Sequence, residues 1–175
     1  MTLSLVLMVN ALAAERLQER TLPIPGRGAL VLYSSLAGSQ QIGQPPEEIA
    51  PTIRFSNAAG EKFEVVITAF WSPAKDASFN LPKNVRSIVE DTLEELKPRL
   101  MEKKLSLLQL HGGSGTGYYI AGTVKAPGPG EYKFLTQGAI AVDDLLLTFT
   151  VLTNIKPSPV ISQVFDMLRT ARRGT

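Results

Sequence analysis

Gly117–Asn154 decides the fold: GYYIAGTVK (117–125), APGPGE (126–131), YKFLTQGAIAV (132–142), DD (143–144) and LLLTFTVLTN (145–154). Three runs rich in β-branched and aromatic residues are separated by a Gly/Pro loop and a two-residue acidic turn, the signature of an antiparallel meander. With Asp143-Asp144 as the turn, Val142 faces Leu145, Ile140 faces Leu147 and Gly138 faces Phe149. A Pro127–Glu131 loop sets Val124 beside Phe134, Ile120 beside Gly138 and Tyr118 beside Ile140. Side chains alternate between faces, so a slip of one residue would move a whole strand's set to the other side. In this register one face, with Tyr118, Ile120, Val124, Phe134, Ile140, Leu147, Phe149 and Val151, is core, and Gly122 and Gly138 admit close approach of a helix. The other face carries Tyr119, Gln137, Thr148 and Thr150. That group is too polar for an ordinary core and too neutral for an ordinary exposed face.

Working outward, 175 residues with 44% hydrophobic content give one domain and ample material for a core. The formal charge is only +2, so nothing global points to nucleic acid. There is no cysteine, so disulfide and thiolate chemistry are absent. At the N-terminus an apolar run, Leu3–Val9, precedes Ala11-Leu12-Ala13, the small-x-small pattern of a cleaved signal peptide. No Lys or Arg precedes the run, a departure from that pattern that leaves two alternatives, a true start further upstream or a short buried N-terminal helix. The segment is too short to span a bilayer, which takes roughly 20 residues. The expectation is a signal peptide over 1–13, a mature chain beginning near Ala14 in the periplasm or outside the cell, and one α+β domain over 20–175.

Thr21–Gly26 is a proline-punctuated edge segment, Ala29–Tyr33 a short strand, Ser34–Pro46 a polar loop and Thr52–Ser56 a further strand. In Lys62–Trp71, Phe63, Val65, Ile67, Ala69 and Trp71 alternate with a mixed set, Glu64, Val66, Thr68 and Phe70. A strand apolar on both sides is covered on both. Asn80 is placed to cap a helix with Pro82 in its first turn and the stripe Val85, Ile88, Val89, Thr92, Leu93, Leu96, stopped or kinked at Pro98. Leu105–Leu110 leads as a strand into the meander. A second helix opens at Lys156–Pro159 with the stripe Val160, Ile161, Val164, Phe165, Leu168, Ala171, and Arg169, Arg172 and Arg173 suit its C-terminal end. Two amphipathic helices and a sheet apolar on both faces predict a three-layer α+β fold, an antiparallel sheet sandwiched between the helices.

The pattern Ile24-Pro25-Gly26, Phe63–Trp71, the long helix, Gly117-Tyr118-Tyr119, Gly130-Glu131-Tyr132-Lys133, Leu135-Thr136-Gln137-Gly138 and Leu147-Thr148-Phe149-Thr150 resembles the small secreted bacterial proteins of the PsbP-like or DcrB-like superfamily. The resemblance covers Arg20 to Asn154 and is one of pattern, without a signature motif. It implies the same sheet between helices and a non-enzymatic accessory role beside a membrane complex. It implies no catalytic or metal residue.

Catalytic motifs fail one by one. His111–Gly117 (HGGSGTG) lacks the Lys of a P-loop and runs into a strand rather than a helix. No G-x-S-x-G elbow exists, and His111 is the sole histidine, so Ser-His catalysis has no partner set. A hairpin loop is the expectation there. A zinc site would have to be built almost wholly from carboxylates, and the adjacent pairs Glu47-Glu48, Glu94-Glu95 and Asp143-Asp144 do not converge on one point. Calcium or magnesium on a loop stays open as an alternative, as does a carboxylate-pair hydrolase whose partners are distant in the chain. The expectation is therefore a non-enzymatic protein without cofactor or transmembrane span, acting on an envelope protein partner. The alternative is a small-ligand carrier with a pocket between sheet and helix. Tyr119, Gln137, Thr148 and Thr150 are the candidate interaction groove. A pocket of mixed apolar and polar lining would favour the carrier; a filled core with an exposed semi-polar patch would favour the partner protein.

Overall fold

The computed structural model describes residues 17–57, 62–74, 76 and 78–174. The apolar N-terminal segment, with the expected cleavage site near Ala14, lies outside the described residues. In chain order the strands are β1 (Gln18–Pro23), β2 (Ala29–Ser34), β3 (Ser39–Gly43), β4 (Thr52–Asn57) and β5 (Phe63–Trp71). Helix α1 (Pro82–Leu96) and a 3-10 turn (Lys97–Arg99) lead to β6 (Leu108–His111), β7 (Thr116–Thr123), β8 (Phe134–Val142) and β9 (Leu145–Thr153). Helix α2 (Pro159–Arg169) and β10 (Arg172–Gly174) follow.

Seven strands pair antiparallel in the order β3-β4-β5-β9-β8-β7-β6, and a separate antiparallel sheet has the order β1-β2-β10. The expected antiparallel sheet sandwiched between two helices is therefore not what forms. At about 4.8 Å per strand spacing a seven-stranded sheet is roughly 29 Å across, while a helix with its side chains is about 10 Å wide. One helix per face cannot close it. On one face, the small sheet and α2 together complete the cover: Leu22, Leu30 and Leu32 join Val160, Val164, Met167 and Leu168 over Ile67, Ile140, Leu147 and Phe149 in one buried cluster. Val65, Ile67 and Ala69 are fully buried within it, Val65 and Ile67 each contributing about 1.5–3 kcal/mol by burial. On the opposite face α1 packs on β7 and β8. Its Val85, Val89 and Leu93 meet Ile120, Ala139, Ala141 and Leu146.

The β8–β9 hairpin has the expected register, Val142 opposite Leu145, Ile140 opposite Leu147 and Gly138 opposite Phe149. Asp143 takes φ +51°, the positive φ that a tight two-residue hairpin turn demands and that Asp tolerates. The β7–β8 register differs by one residue from the expected one. Gly138 lies opposite Tyr119, Gln137 opposite Ile120 and Ala139 opposite Tyr118. Tyr118 and Ile120 thus turn toward α1, and Tyr119 turns toward α2. Its ring packs 4.7 Å from that of Phe165. Gly138 permits this, because a Cβ there would stand 2.6 Å from Tyr119 Cβ and 2.8 Å from Phe149 Cζ.

Further differences follow from local chemistry. Leu81 stands at the N-cap of α1 with no side-chain cap. Asn80 instead donates to the carbonyls of Asp143 (2.7 Å) and Leu145 (3.0 Å), tying the helix entry to the β8–β9 turn. Ser158 does cap α2, accepting from Val160 N at 3.2 Å. Arg172 and Arg173 are not on that helix: they belong to β10, paired with Leu30 and Val31 of β2. The Arg173 guanidinium bonds Asp144 and the Arg27 carbonyl. Ser39–Gly43, inside the expected polar loop, is the edge strand β3.

Candidate functional site

Because α1 covers only part of its face, the neighbouring surface over β4, β5 and β9 is half-open. Rows cross it: Thr52–Thr68–Thr148 and Arg54–Val66–Thr150–Gln137. The Thr52 and Thr68 hydroxyls are 3.0 Å apart, and Arg54 pairs with Glu48 at 2.8 Å and Glu64 at 3.8 Å. Three of the four candidate groove residues, Gln137, Thr148 and Thr150, share this face. The fourth, Tyr119, faces the opposite side under α2, so the structure does not bring the group together. Gln137, Thr148 and Thr150 are half-buried, and their side chains make no hydrogen bond among the described residues.

Gln137 also lines a cleft of about 290 Å³ where α1 ends. Pro98 stops the helix, since a proline ring clashes with the preceding turn. The chain then runs across the sheet as a short roof. Leu100 forms a β-bridge with Val124, Met101 N donates to Thr123 O at 2.8 Å, and Lys125 N donates to Arg99 O at 2.9 Å. Glu102 clamps this segment, accepting from Thr123 N at 2.9 Å and from the Thr123 hydroxyl at 2.7 Å. Burial works to raise the Glu102 pKa, but these donors and the charge of Lys156 prevail and hold it below the ordinary glutamate value. Gly122 makes room for the roof, as a Cβ there would lie 3.0 Å from Leu100 Cδ1. The floor is the cross-strand pair Leu135–Leu152. Leu96 and Leu100 form the roof, and Arg99, Glu131 and Tyr132 stand with Gln137 as the polar lining. The end of α1 and the segment after it provide what cover Leu135 and Leu152 have. Arg99 and Tyr132 escaped sequence reasoning, although Pro98 and the mid-strand Gly122 mark where a chain crosses closely.

A second hollow of about 450 Å³ lies by the Asp143-Asp144 turn, among Arg27, Asp76, Phe79 and Asn80. Its charges satisfy one another: Arg27 pairs with Asp144 at 3.3 Å, and Asp76 accepts from Ser78 N at 2.8 Å. The hydrogen bond from Arg173 lowers the Asp144 pKa. The glycine run forms the β6–β7 hairpin, closed by Gly112 N to Gly115 O at 2.9 Å. Gly113 N donates to Arg169 O at the end of α2, and His111 is exposed. No group of three or more His, Asp or Glu converges among the described residues. No helix among them is long and apolar enough to cross a membrane. No protein-family model matches this chain, and no curated protein matches it in sequence.

Proposed function

We propose that this chain is a non-catalytic binding module that holds a small ligand in the cleft between the end of α1 and the β8–β9 surface. The observation that carries the reading is the mixed lining: a leucine floor and roof with a half-buried, unpaired Gln137 amide between them. Small-molecule sites have this make-up, mostly apolar with a few polar groups, and run from roughly 300 to 1,000 Å³. The cleft is at the compact end of that range. Among the described residues Glu131 is the one carboxylate lining it, which favours binding over two-carboxylate hydrolysis. The test is mass spectrometry of small molecules released from chain purified from its native envelope, compared with Leu152→Trp, which fills the cleft. The filled variant is expected to retain cooperative melting and lose the released compound. An identical set of compounds from both would sink the reading.

The half-open threonine face supports a second reading, docking of an envelope protein partner in the periplasm, which accords with what the PsbP-like resemblance implies. Gln137→Leu with Thr150→Val keeps the fold but removes two polar groups from that face. A pull-down from the envelope fraction in which this double variant retains every partner of the parent would refute it.

A further inference from the structure

We infer that the cleft takes a compact organic monocarboxylate, its apolar body on Leu135 and Leu152 and its carboxylate at Arg99. This rests on the cleft being a ligand site and adds the chemical class. The first observation is the state of the arginines. Every other arginine among the described residues has a side-chain partner: a carboxylate for Arg27, Arg54, Arg86, Arg169 and Arg173, Tyr33 for Arg172 and Gln18 for Arg20. Arg99 makes no ion pair and no side-chain hydrogen bond among those residues. A planar guanidinium presents two parallel donors, which matches a carboxylate.

The second observation is that the lining is rich in donors. Burial, and secondarily the negative charge of Glu64, raise the Tyr132 pKa, so its phenol keeps its proton at neutral pH. Its O–H has no partner among the described residues, and neither has the Gln137 amide. The competing acceptor, Glu131, is engaged through one of its oxygens. Its Oε2 accepts from Gly128 N at 2.8 Å and folds the carboxylate back on its own loop. Lys125 is likewise engaged, donating to Pro98 O at 3.0 Å. A cationic ligand would meet the Arg99 guanidinium, against Glu131 of the lining and the charge of Glu64 felt at Tyr132. A dianionic phosphate would need more donors than one arginine beside a glutamate supplies. The leucine floor asks for an apolar body instead, and about 290 Å³ admits one the size of a single ring or short chain.

The experiment is an NMR titration of the full chain with three probes sharing one ring: benzoate, benzamide and benzylamine. Concentrations of about 10 mM suffice for the roughly millimolar affinity of ligands this small. Benzoate is expected to shift the backbone amides of Leu135, Gln137 and Leu152, and to bind about tenfold tighter than the other two. Arg99→Gln should weaken benzoate about tenfold and leave benzamide unchanged, while Tyr132→Phe weakens benzoate less. Spectra of each free variant establish that it folds; if Arg99→Gln alters the fold, Arg99→Lys serves, retaining the charge and part of the affinity. If benzamide or benzylamine equals benzoate, or benzoate is indifferent to Arg99, the carboxylate assignment is overturned while the cleft remains a site. If none of the three shifts the cleft amides, the cleft reading fails as well.

Discussion

Replacing Gly138 by alanine adds one methyl group where the fold leaves no space for it. The new Cβ would stand 2.3 Å from the Tyr118 carbonyl oxygen, 2.6 Å from Tyr119 Cβ and 2.8 Å from Phe149 Cζ. Overpacking costs typically about 1–3 kcal/mol, and the nearest atom here is backbone, which has no rotamer to escape into. The upper end of that range applies. Alanine stiffens the unfolded chain and returns about 0.4–1 kcal/mol, so the net loss is about 2 kcal/mol. For a chain of this size that is a fall in Tm of about 4–8 °C. Urea unfolding followed by circular dichroism measures it, with Gly128→Ala as control. There the added Cβ would meet the Glu131 side chain at ordinary contact distance, its carboxyl carbon nearest at 3.5 Å, and a change within about 0.5 kcal/mol is expected. If Gly138→Ala is as stable as the control, Tyr119 does not lie where the register places it, and the account of both faces fails with it.

The register can also be fixed chemically, because the chain has no cysteine of its own. Ala121 and Thr136 are directly opposed: Ala121→Cys with Thr136→Cys should cross-link on mild oxidation, while Ala121→Cys with Gln137→Cys should stay reduced, and the reverse result would restore the shifted pairing. Glu102, with its pKa held low, contributes stability that is complete above the unfolded glutamate value and is lost as pH falls through the lower folded value. Glu102→Gln should accordingly cost about 1 kcal/mol at neutral pH, a deficit that vanishes in acid; a deficit independent of pH would mean that the carboxylate does not hold the roof.

How much of this was legible in the sequence depended on what set each pairing. Asp143-Asp144 is a two-residue turn, and a turn that short leaves one register available, so the β8–β9 pairing followed from the chain itself. The connection from Val124 to Lys133 is long, and it includes Ala126 at φ +43° and Gly130 at φ +86°. An alanine in the left-handed region has no sequence signal, and a long loop does not select a register. Tyr118-Tyr119-Ile120-Ala121 is apolar in either phase, so alternation could not decide between them. The groove inherited that error: Tyr119 was grouped with residues on the far side of the sheet. The second sheet was hidden for another reason. Arg172-Arg173-Gly174 has no apolar alternation and follows directly on a helical stripe, and it becomes a strand only because β2 offers a free edge. Arg99 was invisible because its significance is relational: among the described residues it is the arginine left over once the others have found partners.

The strand β10 imposes an order of events on biosynthesis. Arg173 donates to the Arg27 carbonyl across 146 residues of chain, and Leu30 and Val31 find their second backbone partner only in Arg172–Gly174. While a ribosome is still producing the meander, β2 carries an open edge. Such edges invite pairing with other chains. Until Arg172–Gly174 have been made, the β2 edge stands open to any strand that meets it first.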